Sequence, residues 1–318
     1  MIYMVWLPLL VPFLAGPAGR RLVVCLPPAQ AAWLLTITAA GLALGSTTAL
    51  ALLVIPGATH LHAVAMLGRL LTPLATGSPD SVVAVALAAA SLLAGCVGLL
   101  ARGMHRHSGQ LRRARQLAAG ADGELVVLAD DYPDAYALPG RPGRIVVTSG
   151  MLRALSAAER EALLAHERAH LTGRHHCFTA VVELAALCHP ALRALREPLA
   201  YALERSADEH AAHAVGDRRL TAQAIGRAAL AVRAAPTAGP AAARRRPGIA
   251  LAATAGPVPR RVAALLDQHG GTARTRRDTR IAISVALLAC LALSASSTVE
   301  AADDLHASIE VAQGEHPR

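Results

Sequence analysis

Residues 165–170 read Ala-His-Glu-Arg-Ala-His. Residues four apart on a helix share a face, so His166 and His170 can grip one Zn²⁺ while Glu167 beside them takes a proton from a water on that ion. An exposed helix with incidental histidines is the competing explanation. Against it, the motif lies in a segment with helix signals at both ends. Ser156 and Glu159 form a capping box ahead of it, and Gly173 stands where the helix should stop. Two histidines do not complete a catalytic zinc site, which takes three protein ligands and an open position. Glu204 and Asp208 share a face of a second helix, opened by Pro198, running over 199–215 and closed by Gly216. Glu204 is a candidate third ligand and Asp208 a candidate acceptor for the second ring N–H of a liganding histidine. Glu183, Glu197 and Glu209 compete with Glu204 on spacing alone. A donor for an oxyanion is also needed, and spacing does not choose among His210, His213, Arg218 and Arg219. His175 and His176 lie beyond Gly173 and read as surface residues.

The elements that must position these residues are short strands and helices. Runs 124–130 (ELVVLAD) and 144–148 (RIVVT) are β-rich and bounded by Gly, Pro and Asp, with Pro139, Gly140, Pro142 and Gly143 making a turn between them. Residues 178–195 are apolar apart from Glu183, His189 and Arg193 and read as a buried helical pair around Pro190. Residues 236–248 (PTAGPAAARRRPG) have the composition of a flexible linker, and 257–268 resume as a short basic helix.

With 54% hydrophobic and 17% charged residues over 318 positions, the chain is not a disordered tail, and part of it belongs in lipid. A span needs about 20 mainly apolar residues. Residues 82–100 carry no charge, and neither do 29–55, entered after Pro27 and Pro28 and closed by Pro56. Residues 281–299 make a third run, and 1–16 a shorter one whose flanking Arg20 and Arg21 follow it, unlike the charges of a signal peptide. All 31 basic residues are arginine. Arginine-rich loops stay on the cytoplasmic side: Arg20 and Arg21 place the first loop inside, and 101–280, with 27 arginines against 16 acids, is inside as well. The 56–80 loop, the acidic tail and both termini go outside. The clusters could also touch anionic headgroups, but as topology signals they need no ligand, and no nucleic-acid-recognition pattern accompanies them. Five cysteines with no C-x-x-C pairing indicate neither a disulfide framework nor a zinc ribbon. The expected fold class is a mainly α membrane protein with four transmembrane helices and an α+β zincin-like metallopeptidase domain between the third and fourth. Its parts are 1–101 (three spans), 102–280 (cytoplasmic domain), 281–299 (fourth span) and 300–318 (acidic tail).

H-E-x-x-H followed by Glu204-Arg205-Ser206-Ala207-Asp208 resembles the integral-membrane gluzincin peptidases, both the HtpX/Ste type and the BlaR/MecR type. Residues 135–140 (AYALPG) and 145–152 (IVVTSGML) are similar to the strand and turn that lead to the zinc helix in that family. The resemblance covers about 120–230. It implies one catalytic Zn²⁺ held by His166, His170 and Glu204, with Glu167 as general base and the strand of Ile145, Val146, Val147 and Thr148 lining the cleft. A peptidase domain between a third and a fourth span is similar to the BlaR/MecR branch. About 19 residues follow the last apolar run and there is no Ser-x-x-Lys, so direct β-lactam sensing is not expected. Before the strand this chain has Asp134-Ala135-Tyr136 and does not show the Asn of the HtpX/Ste branch. The expected function is a plasma-membrane zinc endopeptidase that cleaves a protein or peptide substrate, such as a cytosolic transcriptional repressor. An HtpX-like quality-control protease and a non-enzymatic membrane scaffold are the alternatives.

Overall fold

The computed structural model describes residues 4–61, 66, 78–119, 123–235, 257–267 and 273–313. After a 3-10 turn (Met4–Trp6), α1 (Leu7–Leu10) and α2 (Pro12–Cys25) follow each other across a 41° bend. Pro12 opens α2 at a position where its missing N–H costs nothing. α3 (Pro28–Ala58) and α4 (Pro79–Ala119) are longer. Arg20 and Arg21 lie within α2 rather than in a loop, because the chain stays helical up to Cys25 and only Leu26 and Pro27 separate α2 from α3. Pro56 sits inside α3, which continues to Ala58. Most of the expected 56–80 loop lies outside the described residues, as does the 236–248 linker.

The two expected strands form as β1 (Leu125–Leu128) and β3 (Arg144–Thr148), and β2 (Ala135–Leu138) joins them. The order is β1-β3-β2, with β1 parallel to β3 (Leu125 opposite Ile145) and β2 antiparallel to it (Ala135 opposite Val147). One group packs Ala114 of α4 with Tyr136, Leu138 and Val146 of the sheet. After α5 (Ser149–Ala154) comes the motif helix α6 (Ala157–Thr172), then α7 (His175–Cys188) and a 3-10 turn (Pro190–Leu195). α8 (Arg196–Val215) ends on Gly216, whose φ of +71° is open to glycine at no steric cost. α9 (Arg218–Ala234), capped by Asp217, is a helix that sequence reasoning passed over. α10 (Val258–Leu266) precedes α11 (Ala273–Ala312).

Among the described residues, three helices are long and apolar enough to cross a membrane, within Pro28–Ala58, Asp80–Gln116 and Ser284–Ala312; the bent α1–α2 pair makes a fourth if it counts as one span. The boundary expected at residue 102 falls inside unbroken α4, and those at 281 and 300 fall inside α11. The largest core is shared across these boundaries: Leu22 of α2 and Leu35 and Leu42 of α3 pack with Val182 of α7, Leu199 and Leu203 of α8 and Leu287 of α11. Close approach is bought by small residues. A Cβ at Gly41 would stand 2.7 Å from Leu291, and one at Gly45 2.5 Å from the Ser294 hydroxyl, so α3 and α11 touch through this four-residue spacing.

Candidate metal centre

α6 starts where the capping box requires. The Glu159 carboxylate accepts from the Ser156 N–H at 2.9 Å, and the Ser156 hydroxyl accepts from the Glu159 N–H at 3.4 Å. Two turns on, His166 and His170 project from one face, and α8 packs across it. Both helices bury alanines, Ala162 and Ala169 on α6 and Ala207 and Ala211 on α8.

The packing brings three donor atoms together. His166 Nε2 and His170 Nε2 are 3.1 Å apart, and the two Glu204 carboxylate oxygens lie 3.5 Å from them, Oε2 from His166 and Oε1 from His170. A tetrahedral zinc ion with bonds of about 2.0–2.1 Å holds its ligands about 3.3 Å from one another, so the triangle has the size such an ion requires. His166, His170 and Glu204 are also a group that can hold a metal on proximity alone. Of the competing acids, Glu183 pairs at the surface with Arg196 at 2.6 Å, Glu209 is taken by Arg205 and Arg218, and Glu197 is exposed on the first turn of α8.

The residues around the triangle complete its chemistry. Asp208 Oδ1 lies 3.1 Å from His166 Nδ1, which leaves Nε2 facing the other donors. His175, expected at the surface, is buried against His170, with their Nδ1 atoms 2.8 Å apart. Gly173 explains the difference. The chain reverses at Arg174, which takes a left-handed φ of +49°, and a Cβ on Gly173 would come within 2.6 Å of the His175 ring. The sequence reading also missed Arg261 of α10. Its guanidinium donates to Asp208 at 2.6 and 2.9 Å and lies 2.9 Å from Glu204 Oε2. His166, Glu167, His170, Glu204, Asp208 and Arg261 are all between 0 and 2% exposed.

Burial works against a charged His166, but the Asp208 and Glu204 carboxylates outweigh it and raise the group to about 9. Burial likewise opposes ionisation of Asp208, which Arg261 and His166 reverse, taking it down to about 2. His175 is pushed down to about 4 by burial and by the charges of His166, His176 and His210. Arg261 is raised despite its burial by Asp208 and Glu204, with Glu167 adding to the effect. With the ligand histidines neutral, the form that binds a metal, the cluster holds three carboxylates and one guanidinium, an imbalance of two that a divalent cation would cancel.

The model of peptidase family M48 matches residues 101–197. That stretch is about a third of the chain. It holds the three strands, α6 and α7, and ends short of Glu204, Asp208 and Arg261. The match supports a metallopeptidase. No curated protein and no solved structure matches the chain.

The other sequence candidates fall outside the centre. His210, His213 and Arg219 are exposed, and Arg218 is engaged with Glu209 and the Leu265 carbonyl. Ile145, Val146, Val147 and Thr148 form the middle strand of the sheet, with β1 paired on one edge and β2 on the other. Among the described residues their backbone is thus paired on both edges; the outer strand packed against α6 is β2.

Proposed function

We propose that the chain is a membrane-embedded zinc endopeptidase that makes regulatory cuts in a cytosolic protein, such as a transcriptional repressor, from a peptidase domain on the cytoplasmic side. The observation that carries this reading is the donor triangle of His166, His170 and Glu204 with Glu167 next to it on α6. The two imidazoles and Glu204 would hold the ion. When bound, it supplies Lewis acidity toward water and toward the scissile carbonyl. Glu167 takes the proton from the attacking water and returns it to the leaving amine. Asp208 and His175 hold the His166 and His170 rings in one tautomer and orientation. Arg261 keeps Asp208 ionised and holds the Glu204 carboxylate in place. The arginine distribution supports the inward orientation. Near-complete burial of the centre supports a narrow substrate range, since a polypeptide reaches it only as an extended segment admitted by local opening.

The test compares the full chain with Glu167→Gln for metal content and peptide hydrolysis. Both proteins should carry one zinc per chain, and the variant should lose about 10²–10⁴ in rate. Equal hydrolysis by the two, or a wild type without zinc, removes the reading. In cells, proteomics of the Glu167→Gln strain should show one stabilised cytosolic protein; general accumulation of damaged membrane proteins would favour quality control instead.

A further inference from the structure

A cavity of about 410 Å³ lies between α4 and α7, and it is basic. α4 contributes Arg102, Arg106 and His107 to its wall, and His176 of α7 and Arg196 of α8 face them. Its one carboxylate, Glu183, is already tied to Arg196 at 2.6 Å. Arg102 and Arg106 have no carboxylate partner among the described residues. Burial lowers the pKa of His176, and the nearby charges of His107, Arg174 and Arg115 add to the effect, as expected where positive charge is unbalanced.

The other end of the cavity is apolar, formed by Leu99 on α4 and Leu184 and Leu187 on α7. Gly103 sets this floor, since a Cβ there would come within 2.7 Å of Leu187 and 3.3 Å of Leu184. Depth gives the third argument. The uncharged stretch of α4 ends at Leu100. At 1.5 Å per residue, Arg102 and Arg106 stand about 3 and 9 Å beyond it, and the headgroup layer is about 5–8 Å thick on each side of the hydrocarbon. Leu99, Arg102 and Arg106 follow the three- and four-residue spacing of one helix face, so the α4 wall runs from acyl-chain depth to phosphate depth.

We propose that this cavity is a binding site for one anionic phospholipid, with its phosphate held by Arg102 and Arg106 and its acyl chain against Leu99 and Leu187. The site is separate from the metal centre, and its test needs no peptidase activity. The full chain, purified in detergent, is exposed to phosphatidylglycerol, phosphatidylcholine or inorganic phosphate, and bound molecules are counted by native mass spectrometry. The wild type should retain one phosphatidylglycerol in preference to phosphatidylcholine. The Arg102→Gln/Arg106→Gln variant should retain it about 30-fold less, the effect of two charges near the surface. Arg113→Gln, which removes a charge from the same helix outside the cavity, should retain it like the wild type. Glu183→Gln, which deletes the one acid and keeps every arginine, should retain more and so tests the site even if the double variant fails to fold. Equal retention of both lipids, equal loss with Arg113→Gln, no gain with Glu183→Gln, or displacement of the lipid by millimolar inorganic phosphate would each overturn the proposal.

Discussion

Metal binding at this centre should carry a proton out of it. His166 can offer its Nε2 lone pair only after losing the proton that Asp208 and Glu204 stabilise, with a pKa of about 9. At pH 7, roughly one molecule in a hundred has lost that proton. Apparent affinity should therefore rise about tenfold per pH unit between 7 and 9, about a hundredfold in all, and level off above. An imidazole with its ordinary pKa near 6.5 would show almost none of this rise. The linked stability has the opposite sign. The folded-state pKa lies above the unfolded one, so the protonated ring stabilises the metal-free protein fully below about pH 6.5, and that contribution is lost as pH climbs through 9. The assay is a competition titration of the full chain in detergent with Co²⁺ and a chromophoric chelator, corrected for the chelator's own protonation, with proton release counted at pH 7.5. About one proton should leave per ion bound. Asp208→Asn removes the largest interaction that favours the charged ring, made at Nδ1, so its affinity should rise much less between pH 7 and 9. At pH 9 it should bind about 10- to 100-fold more weakly than wild type, the usual loss when an outer-shell carboxylate is removed. A flat wild-type profile, or a wild-type slope in Asp208→Asn, refutes the reasoning.

Two further outcomes follow from the same geometry. Arg261→Met leaves Asp208 and Glu204 buried without their cation and should cost the metal-free protein about 3–5 kcal/mol; thermal unfolding should show a smaller loss with metal bound, because the ion then neutralises the carboxylates, and an equal loss in both states would remove the charge argument. His175→Ala should weaken metal binding about 10- to 100-fold at constant pH, and His175→Asn, which keeps a polar partner for His170, should recover part of it; unchanged affinity in the alanine variant would show that His175 does not orient the ligand.

Local signals in the sequence were reliable where neighbouring residues decide the structure. The capping box at Ser156 and Glu159, the stop near Gly173 and the left-handed Gly216 are short-range features, and each stands where the spacing placed it. Four-residue spacing put His166 with His170 and Glu204 with Asp208 on one helix face each, but that the two pairs meet came from the family resemblance and not from spacing. Arg261 was not legible. A basic helix after a Pro- and Gly-rich stretch has a solvated face by default, and only the packing of α10 against α8 and α9 shows one arginine buried while its neighbour Arg260 stays outside over Tyr201. His175 was misread because a glycine stop suggests that the chain departs from the site, whereas the reversal at Arg174 brings the next helix back onto it. Gly173 is the local trace of that return, since its Cβ position is the space the His175 ring takes. β3 was legible only as a strand. Composition marks a strand, but its neighbours in the sheet, and so which edges are free, depend on pairings made across the chain.

The position of Arg261 sets an order of events during synthesis. The ribosome releases His166, Glu167, His170, Glu204 and Asp208 first, and the guanidinium that balances them stands 53 residues beyond Asp208. Until that segment emerges, closing α6 on α8 would bury three carboxylates against the single charge of His166, at a cost of several kcal/mol per unbalanced charge. On that ground the pocket stays wet until α10 docks, immediately ahead of α11 in the chain. Maturation of the centre then waits on a segment made after every metal-ligand candidate, and a chain cut short before residue 261 has the HExxH sequence without a finished site.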